Sequence, residues 1–354
     1  MALVIVAVTV SLIGFEAYTL AVVHLGEQAA LPENIGNFER IRNSLKEQGP
    51  HEKFSFAVVG DTRATRTFER LSDKLRNEPL SFMVILGDFV ETFTRGNHDY
   101  FKFECTHKYN LPFPVFLVAG NHDVVCKEKD YDFDGVSLTD FEKMYGPRNF
   151  SFEYNGCLFV GLCVLPPPFA TGESIEFLES ALAGRREKNQ RVFVFTHMPV
   201  IRSTGPVPNS FENMEAFTDV VDRYNVDYVI SAHYHGYDRT RHNDTVYLVT
   251  GGGGAPLDEE ETFGGLNHAV VLTVDRDSVS ERTVFARHSA GVTSAVKHFA
   301  IAKLAPFLRK HPALTIVENV LVFGMFCVSL FGLIRSGIAV PLVVGPRVRP
   351  QIRA

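Results

Sequence analysis

Six side chains of metal-binding type stand at the ends of short apolar runs in this 354-residue sequence. Runs such as KFSFAVVGD and RVFVFTH end abruptly in Gly, Asp, Asn or His. Short apolar runs bounded by turn residues predict buried strands. In open α/β sheets, ligands bind at the carboxyl ends of the strands, so we expect these side chains to meet at one edge. The six are Asp61, Asp88, Asn121, His197, His233 and His235.

Oxygen and imidazole ligands without a thiolate are typical of a pair of hard or borderline cations. Such cations lie about 3.5–4 Å apart and share one carboxylate. His233 and His235 follow a predicted strand two positions apart, so both can face one cavity, each towards a different cation. Each of these residues alone could have a structural role. Asp61 and Asp88, for example, could be turn residues, since Gly-Asp is common in turns. Their convergence favours a centre of two divalent or trivalent metal ions, either Mn, Fe or Zn.

The elements that must position these residues alternate between strand and helix. Stretches of helical character, such as FERLSDKLRNE (68–78) and SIEFLESALAGRREKN (174–189), separate several of the apolar runs. That alternation predicts βαβ units around a largely parallel sheet, and hence an α/β fold. The run FSFEYNGCLFVGLCVL predicts a hairpin that turns at Asn155-Gly156.

The order of the motifs resembles the calcineurin-like metallophosphoesterase superfamily. The matching blocks are two Gly-Asp pairs, one GNHD, a single strand-end His and one HxH, and they span residues 53–275. HYHGYDRTR followed by YLVTGGGGAP is similar to the purple-acid-phosphatase-like branch, which carries HxHxYER there. The resemblance implies a four-layer αββα sandwich that hydrolyses phosphomonoesters or phosphodiesters.

The resemblance also implies how the metals are held. Asp88 would bridge the two ions, and Asp61 and His235 would hold the first. The second would be held by Asn121, His197 and His233.

The catalytic roles come from the same comparison. His122 would be the general acid for the leaving oxygen, and Asp123 would orient its ring. A metal-bound hydroxide would attack phosphorus in line.

Two positions depart from the family pattern. Arg63 stands where most members have a His ligand, and Glu91 stands where the purple branch has a Tyr. Glu91 is either a replacement ligand or a residue beside the site, with water completing the first metal; the third alternative is that the first metal is lost. Arg63 cannot bind a cation because it stays protonated, so we expect it to clamp a substrate phosphate.

Two further motifs have structural interpretations. A second GNHD, which contains His98, has no strand before it, so the strand-end rule selects residues 120–123 for the site. The run GGGG (251–254) follows a strand without opening a helix, and we expect it to let backbone pack closely against the metal site.

The two ends of the chain are strongly apolar. Residues 2–23 and 315–334 contain one charge each, Glu16 and Glu318. Twenty helical residues span roughly 30 Å, the thickness of the hydrocarbon core. We expect an apolar helix at each terminus: a membrane anchor or signal segment first, and a transmembrane helix second. The alternative for the second is a buried core helix.

Flanking charge predicts the orientation. Arg335, Arg347, Arg349 and Arg353 follow the second segment with no acidic residue, which predicts a cytoplasmic tail and an extracytoplasmic catalytic domain. The expected segments are an N-terminal anchor or signal (1–23), a linker (24–52) that includes a short helix in NFERIRNSLKEQ, the catalytic domain (53–290), a linker or amphipathic segment (291–314), a transmembrane helix (315–334) and a basic tail (335–354).

Composition restricts the partners. A net charge of −6 disfavours a nucleic-acid partner, including the substrate of a nuclease on the same fold. The expected substrate is a phosphorylated small molecule or a lipid-linked phosphate at the membrane. The alternative function is a membrane-anchored phosphate-ligand binding protein with an impaired first metal site. The intact pair His122 and Asp123 favours an enzyme, because a pure binder needs no general acid.

Overall fold

The structure is a computed structural model that describes residues 2–49, 51–126, 134–208, 210–258, 263, 265–276 and 278–335. The predicted basic tail therefore lies outside the described residues, apart from Arg335. The chain forms two compact units. One runs from Val23 to Pro306 and contains all the strands, and the other combines residues 1–22 with the residues from Phe307 onward.

The described helices are ten α-helices and three short segments of other kinds. The α-helices are α1 (Ala2–Gln28), α2 (Phe38–Glu47), α3 (Arg66–Leu75), α4 (Arg95–Glu104), α5 (Leu138–Tyr145), α6 (Gly172–Leu182), α7 (Met214–Arg223), α8 (Val292–His298), α9 (Ala305–Lys310) and α10 (Pro312–Arg335). Cys105–Tyr109 and Phe299–Leu304 are π-helical, and Arg186–Lys188 is a 3-10 turn.

The thirteen described strands are mostly short and buried. They are β1 (Phe54–Val59), β2 (Phe82–Ile85), β3 (Val115–Leu117), β4 (Phe150–Tyr154), β5 (Cys157–Gly161), β6 (Arg191–Phe195), β7 (Ile201–Arg202), β8 (Gly205–Pro206), β9 (Tyr228–Ser231), β10 (Tyr237–His242), β11 (Thr245–Thr250), β12 (Asn267–Val274) and β13 (Val279–Ala286).

The strands form two large sheets and one small hairpin. The first sheet has the order β13-β12-β1-β2-β3 and the second has the order β10-β11-β9-β6-β5-β4. Strands β1, β2 and β3 run parallel, as do β5, β6, β9 and β11. The outer strands β4, β10, β12 and β13 pair antiparallel with their neighbours. The expected parallel arrangement is therefore found at the centre of the second sheet and from the centre to the β3 edge of the first, and these strands carry the site residues.

An aromatic core fills the space between the two sheets. Phe56 stacks on Phe82 at 5.0 Å in the first sheet and meets Phe159 edge-on at 5.4 Å from the second. Helix α3 packs against β12 and β13. On the second sheet, Leu178 of α6 and Phe217 of α7 pack with the strand residues that face away from the aromatic core. These four layers are the αββα sandwich that the family resemblance implies.

The predicted hairpin at Asn155-Gly156 is confirmed. Strands β4 and β5 pair antiparallel, and the residues on either side of the turn face each other. Asn155 and Gly156 have φ values of 48° and 70°. Positive φ at both central residues is what a two-residue turn of this twist requires, and Asn and Gly tolerate it best.

Both segments expected to be linkers contain helices of the folded unit. Helix α2 lies within residues 24–52, and its Ile41 and Leu45 are buried in the core between the sheets. Within residues 291–314, Ala300 and Ile301 are buried in the π-helical segment that packs against α4. Helix α2 is the short helix expected within this linker. Its burial was not expected, because only its apolar face, spaced by one turn, contacts the core.

The terminal helices are apolar and expose large side chains. Among the described residues, one helical stretch, Val6–Gly26, is long and apolar enough to cross a membrane; its length and composition would also suit a signal sequence. In α10 the apolar stretch is shorter, Val320–Gly332. An apolar helix therefore lies near each terminus, and the membrane-spanning role of residues 315–334 stays a prediction.

Candidate metal centre

The parallel strands deliver the expected side chains to one edge. Asp61, Asp88, Asn121, His197 and His233 come directly after β1, β2, β3, β6 and β9. Asp61 and His197 have no exposed surface, and Asp88 is only 1% exposed. The rule that ligands gather at the carboxyl ends of strands therefore located a real cluster of buried polar groups.

The four residues expected to hold the second metal lie in mutual contact. The Nε2 atom of His197 lies 2.9 Å from Asn121 Oδ1, 3.4 Å from Asp88 Oδ1 and 3.3 Å from His233 Nδ1. Ligand atoms of Asp88, His197 and His233 all lie within 4.8 Å of one another. Burial lowers the pKa of His233 to about 4, which keeps its imidazole neutral and able to coordinate.

The tautomer of His197 tests whether this cluster fits a cation. Its Nδ1 lies 2.8 Å from the carbonyl oxygen of Leu86. A carbonyl oxygen can only accept, so Nδ1 carries the proton and Nε2 presents a lone pair. That lone pair faces the carboxylate of Asp88 and the amide oxygen of Asn121, which are also acceptors. Three acceptors aimed at one another repel unless a cation lies between them, so these residues fit a metal ion.

The same pattern occurs at the predicted first metal position. The Nδ1 of His235 donates to the carbonyl of Pro256 at 3.0 Å, and its Nε2 lies 3.3 Å from Asp61 Oδ1. This carboxylate oxygen is buried, and no other group among the described residues donates a hydrogen bond to it. Burial raises the pKa of Asp61. Burial alone would lower the pKa of His235, but the hydrogen bond and charge of Asp61 outweigh it and raise that pKa. A proton held between Asp61 and His235 occupies the place that a cation would take.

Arg63 sits between the bridging carboxylate and the predicted general acid. Its Nη2 lies 3.3 Å from Asp88 Oδ2, and its Nη1 lies 3.2 Å from His122 Nδ1 and 3.9 Å from Glu91 Oε1. The side chain of Arg63 is 11% exposed, whereas that of Glu91 is 49% exposed. The structure thus places the Glu91 carboxylate beside Arg63, at the rim of the site.

The structure corrects the role expected for Asp123. Its two carboxylate oxygens accept hydrogen bonds from four backbone amides, those of Asp88, Phe89, Val90 and Gly120, at 2.8–3.2 Å. Asp123 therefore fixes the loop that carries Asp88 and does not orient the ring of His122. A carboxylate that accepts this many amide hydrogen bonds has no oxygen directed at a neighbouring ring.

The ring of His122 is oriented by backbone instead. Its Nδ1 lies 2.7 Å from the carbonyl oxygen of Glu91 and so donates to it. Its Nε2 lies 3.9 Å from Asp88 Oδ2, and the side chain is 34% exposed. Nε2 is therefore directed at the predicted metal cluster while remaining open to a substrate.

Other residues support the site without touching it as ligands. His98, in the second GNHD, is buried and contacts the Tyr145 hydroxyl and the carbonyl of Asp123, and burial lowers its pKa to about 3. It is a neutral structural residue, as the strand-end rule predicts.

Asp258 accepts a 2.9 Å hydrogen bond from the backbone of His235. Sequence reasoning missed Asp258, because its acidic neighbours make it resemble a solvated surface run.

The GGGG run packs against the first metal position. A Cβ atom on Gly251 would lie 2.7 Å from Asp61 Oδ2 and 2.2 Å from the carbonyl of Tyr234, and one on Gly253 would lie 2.3 Å from the carbonyl of Gly60. These distances are too short for any side chain. The glycines therefore allow the strand end to approach the metal-binding loops closely, as the sequence predicts.

Comparisons with solved structures show the fold. The chain is similar to a dimetal phosphatase from Danio rerio, with 14% identity, a TM-score of 0.50, and coverage of 67% of this chain and 99% of that one. It is also similar to the purple acid phosphatase PPD1 from yellow lupin seeds, with 18% identity, a TM-score of 0.49, and coverage of 66% and 52%. GAP50, the anchor in the inner membrane complex of Plasmodium, gives 13% identity, a TM-score of 0.49, and coverage of 71% and 95%. A search of curated proteins found no match.

The sequence comparison with protein families is more specific. The model of the calcineurin-like phosphoesterase family matches residues 54–237, more than half of the chain. This range contains Asp61, Asp88, Asn121, His122 and the two strand-end histidine motifs. The family implies a dinuclear metal centre, and the buried acceptors described above fit one. The chain belongs to the calcineurin-like phosphoesterase family and is a metal-dependent phosphoester hydrolase.

Proposed function

We propose that this enzyme hydrolyses a phosphomonoester or phosphodiester at a two-metal centre with His122 as general acid. The observation that carries the proposal is the pair of buried acceptor clusters at one sheet edge. Asp61 and His235 form one, and Asp88 with His197 and Asn121 forms the other. A cation would relieve the repulsion between acceptors in the second cluster and would take the place of the proton that Asp61 and His235 share in the first. Their proximity to His122 and Arg63 supports phosphoryl chemistry.

The metal-holding residues divide as the family pattern implies. Asp61 and His235 would hold the first ion, Asn121, His197 and His233 the second, and Asp88 would bridge. Two ions in these places would activate a water molecule and polarise the phosphoryl group. The buried Oδ1 of Asp61, which faces His235, supports a functional first metal site. A functional first site favours an enzyme over a protein that only binds a phosphate ligand.

His122 and Arg63 would act directly on the substrate. With its Nδ1 proton held by the carbonyl of Glu91, His122 can carry a second proton on Nε2 and pass it to the leaving oxygen. The guanidinium of Arg63 would clamp a phosphate oxygen beside Asp88, because its planar donors match phosphate geometry.

The surroundings of Glu91 support the interpretation in which it is not a ligand. Its carboxylate is half-exposed and faces Arg63, so water would complete the first metal. In this arrangement Glu91 would balance the charge of Arg63 when no phosphate is bound.

We also propose that the enzyme acts at a membrane on a phosphorylated small molecule or a lipid-linked phosphate. The apolar stretch Val6–Gly26 supports an N-terminal anchor. The arginines that follow residues 315–334 support a cytoplasmic tail and a catalytic unit on the other side of the membrane.

Replacing the bridging carboxylate should abolish hydrolysis. We expect Asp88→Asn to lower kcat/KM on an aryl phosphate monoester or diester by at least about a hundredfold, because one carboxylate serves both ions. Rates are measured after reconstitution with Mn²⁺, Fe²⁺ or Zn²⁺. Asp73→Asn is the matched control, since that carboxylate is exposed and pairs only with Arg76 across one turn of α3 among the described contacts. Wild-type activity of Asp88→Asn would contradict the proposed mechanism.

Removing the general acid should lower the rate most for substrates with poor leaving groups. We expect His122→Ala to lower kcat by about 10²- to 10⁴-fold on an alkyl phosphate, whose leaving oxygen needs a proton. The loss should be much smaller on a nitrophenyl ester, whose leaving group departs as an anion. The two losses are compared in one buffer at one pH. Equal losses on both substrates would assign His122 to binding alone.

The role of Glu91 can be decided by counting metal ions. We expect Glu91→Ala to retain the same number of bound metal ions per chain as the wild type after dialysis, because Glu91 does not coordinate. Asp61→Asn provides the comparison, since it should lose the first ion. Metal content is measured by mass spectrometry of the digested protein. A loss of one ion in Glu91→Ala would instead make Glu91 the ligand that replaces the missing His.

A further inference from the structure

A small hairpin follows the first histidine motif of the site. After His197 the chain enters β7, turns, and returns as β8. Ile201 pairs with Pro206 and Arg202 with Gly205, so Ser203 and Thr204 form the tip. The hairpin therefore begins within a few residues of one predicted metal ligand.

The tip of this hairpin is docked on the start of β10. Asp238, at 8% exposure, accepts hydrogen bonds from the backbone amide of Ser203 at 2.8 Å and from its hydroxyl at 2.5 Å. The Nε of Arg202 lies 3.8 Å from the same carboxylate. These contacts fix the position of Arg202 relative to β10.

Arg202 stacks on the residue between the two metal-binding histidines. Its guanidinium carbon lies 3.4 Å from the centre of the Tyr234 ring. A planar guanidinium at this distance covers the ring face, which combines cation–π attraction with stacking. The side chain of Arg202 is only 20% exposed, so this contact is largely shielded from solvent.

The loop that carries Tyr234 needs such support. His233 has a φ of 65°, in the left-handed region that costs energy for a residue with a Cβ atom. The backbone amide of His233 donates to Asp61 and that of His235 donates to Asp258, each at 2.9 Å. These bonds hold the two ends of the His233–His235 loop, and the Arg202 stack holds its centre.

We propose that Arg202 is a positioning residue for both metal ions: its stack on Tyr234 keeps the His233–His235 loop in the conformation that binds them. The inference rests on the proposed two-metal function but concerns residues outside the ligand set. Partners that orient metal ligands affect affinity by about 10- to 100-fold when they are removed. Arg202→Ala should therefore weaken metal binding even though Arg202 touches no ligand atom.

The test is a titration of the metal-free full-length protein with Mn²⁺. Binding is monitored by calorimetry or by the electron paramagnetic resonance signal of free Mn²⁺. We expect Arg202→Ala to lower the affinity about tenfold or more. Arg202→Lys keeps a cation over the ring and should recover a large part of that loss. Arg241→Ala is the matched control, because Arg241 lies at the exposed far end of β10, the strand on which the hairpin docks.

A double substitution separates this role from general destabilisation. If Arg202 acts through the ring, Arg202→Ala combined with Tyr234→Leu should bind Mn²⁺ no more weakly than Tyr234→Leu alone. Additive losses, or wild-type affinity of Arg202→Ala, would overturn the inference while leaving the two-metal function intact. Failure of the wild-type protein itself to bind Mn²⁺, Fe²⁺ or Zn²⁺ would overturn the proposed function.

Discussion

Asp61 and Asp88 are carboxylates with almost no exposed surface, held at an edge where the carboxyl ends of five strands meet. Burying a carboxylate without compensation is costly, so the surrounding structure has to supply positive charge or hydrogen-bond donors. Donors reach some of these oxygens, for example from the backbone of His122 and His233. Oδ1 of Asp88 also faces Nε2 of His197, and Oδ1 of Asp61 faces Nε2 of His235. The cluster is complete only with cations, and its surroundings are built to keep those acceptors in place.

Backbone strain is concentrated in the loops that hold this cluster. Asp61, Arg63, Asp88 and His233 all have φ values between 49° and 65°. Such conformations cost energy for residues with side chains and persist only when neighbouring contacts fix them. The amide hydrogen bonds to Asp123 fix the loop after β2, and the glycines at 251–254 allow the adjoining strand end to close over Asp61. The aromatic core between the sheets provides the rigid base from which these loops project.

The residues of the buried polar cluster could be predicted from sequence, because most of them follow a short apolar strand and a strand end is recognised from neighbouring residues. The strand-end rule also distinguished His122 from His98, because it depends only on the residues that come just before each motif. The role of Asp123 could not be predicted, since its partners are backbone amides from a loop distant in sequence. The contact between Arg202 and Tyr234 could not be predicted either, because no sequence pattern indicates that two side chains 32 positions apart will stack. Helix α2 was expected as a short helix within a linker, but its packing into the core was not, since two buried side chains among polar neighbours give a weak signal.

The central claim is that two metal ions occupy this edge and share Asp88. Its most direct measurement is anomalous X-ray diffraction from crystals of the Mn²⁺-loaded protein, recorded on both sides of the manganese absorption edge. The account predicts two anomalous peaks about 3.5–4 Å apart, with Asp88 between them, one beside Asp61 and His235 and the other beside His197 and His233. A single peak beside His197, with none beside Asp61, would contradict it.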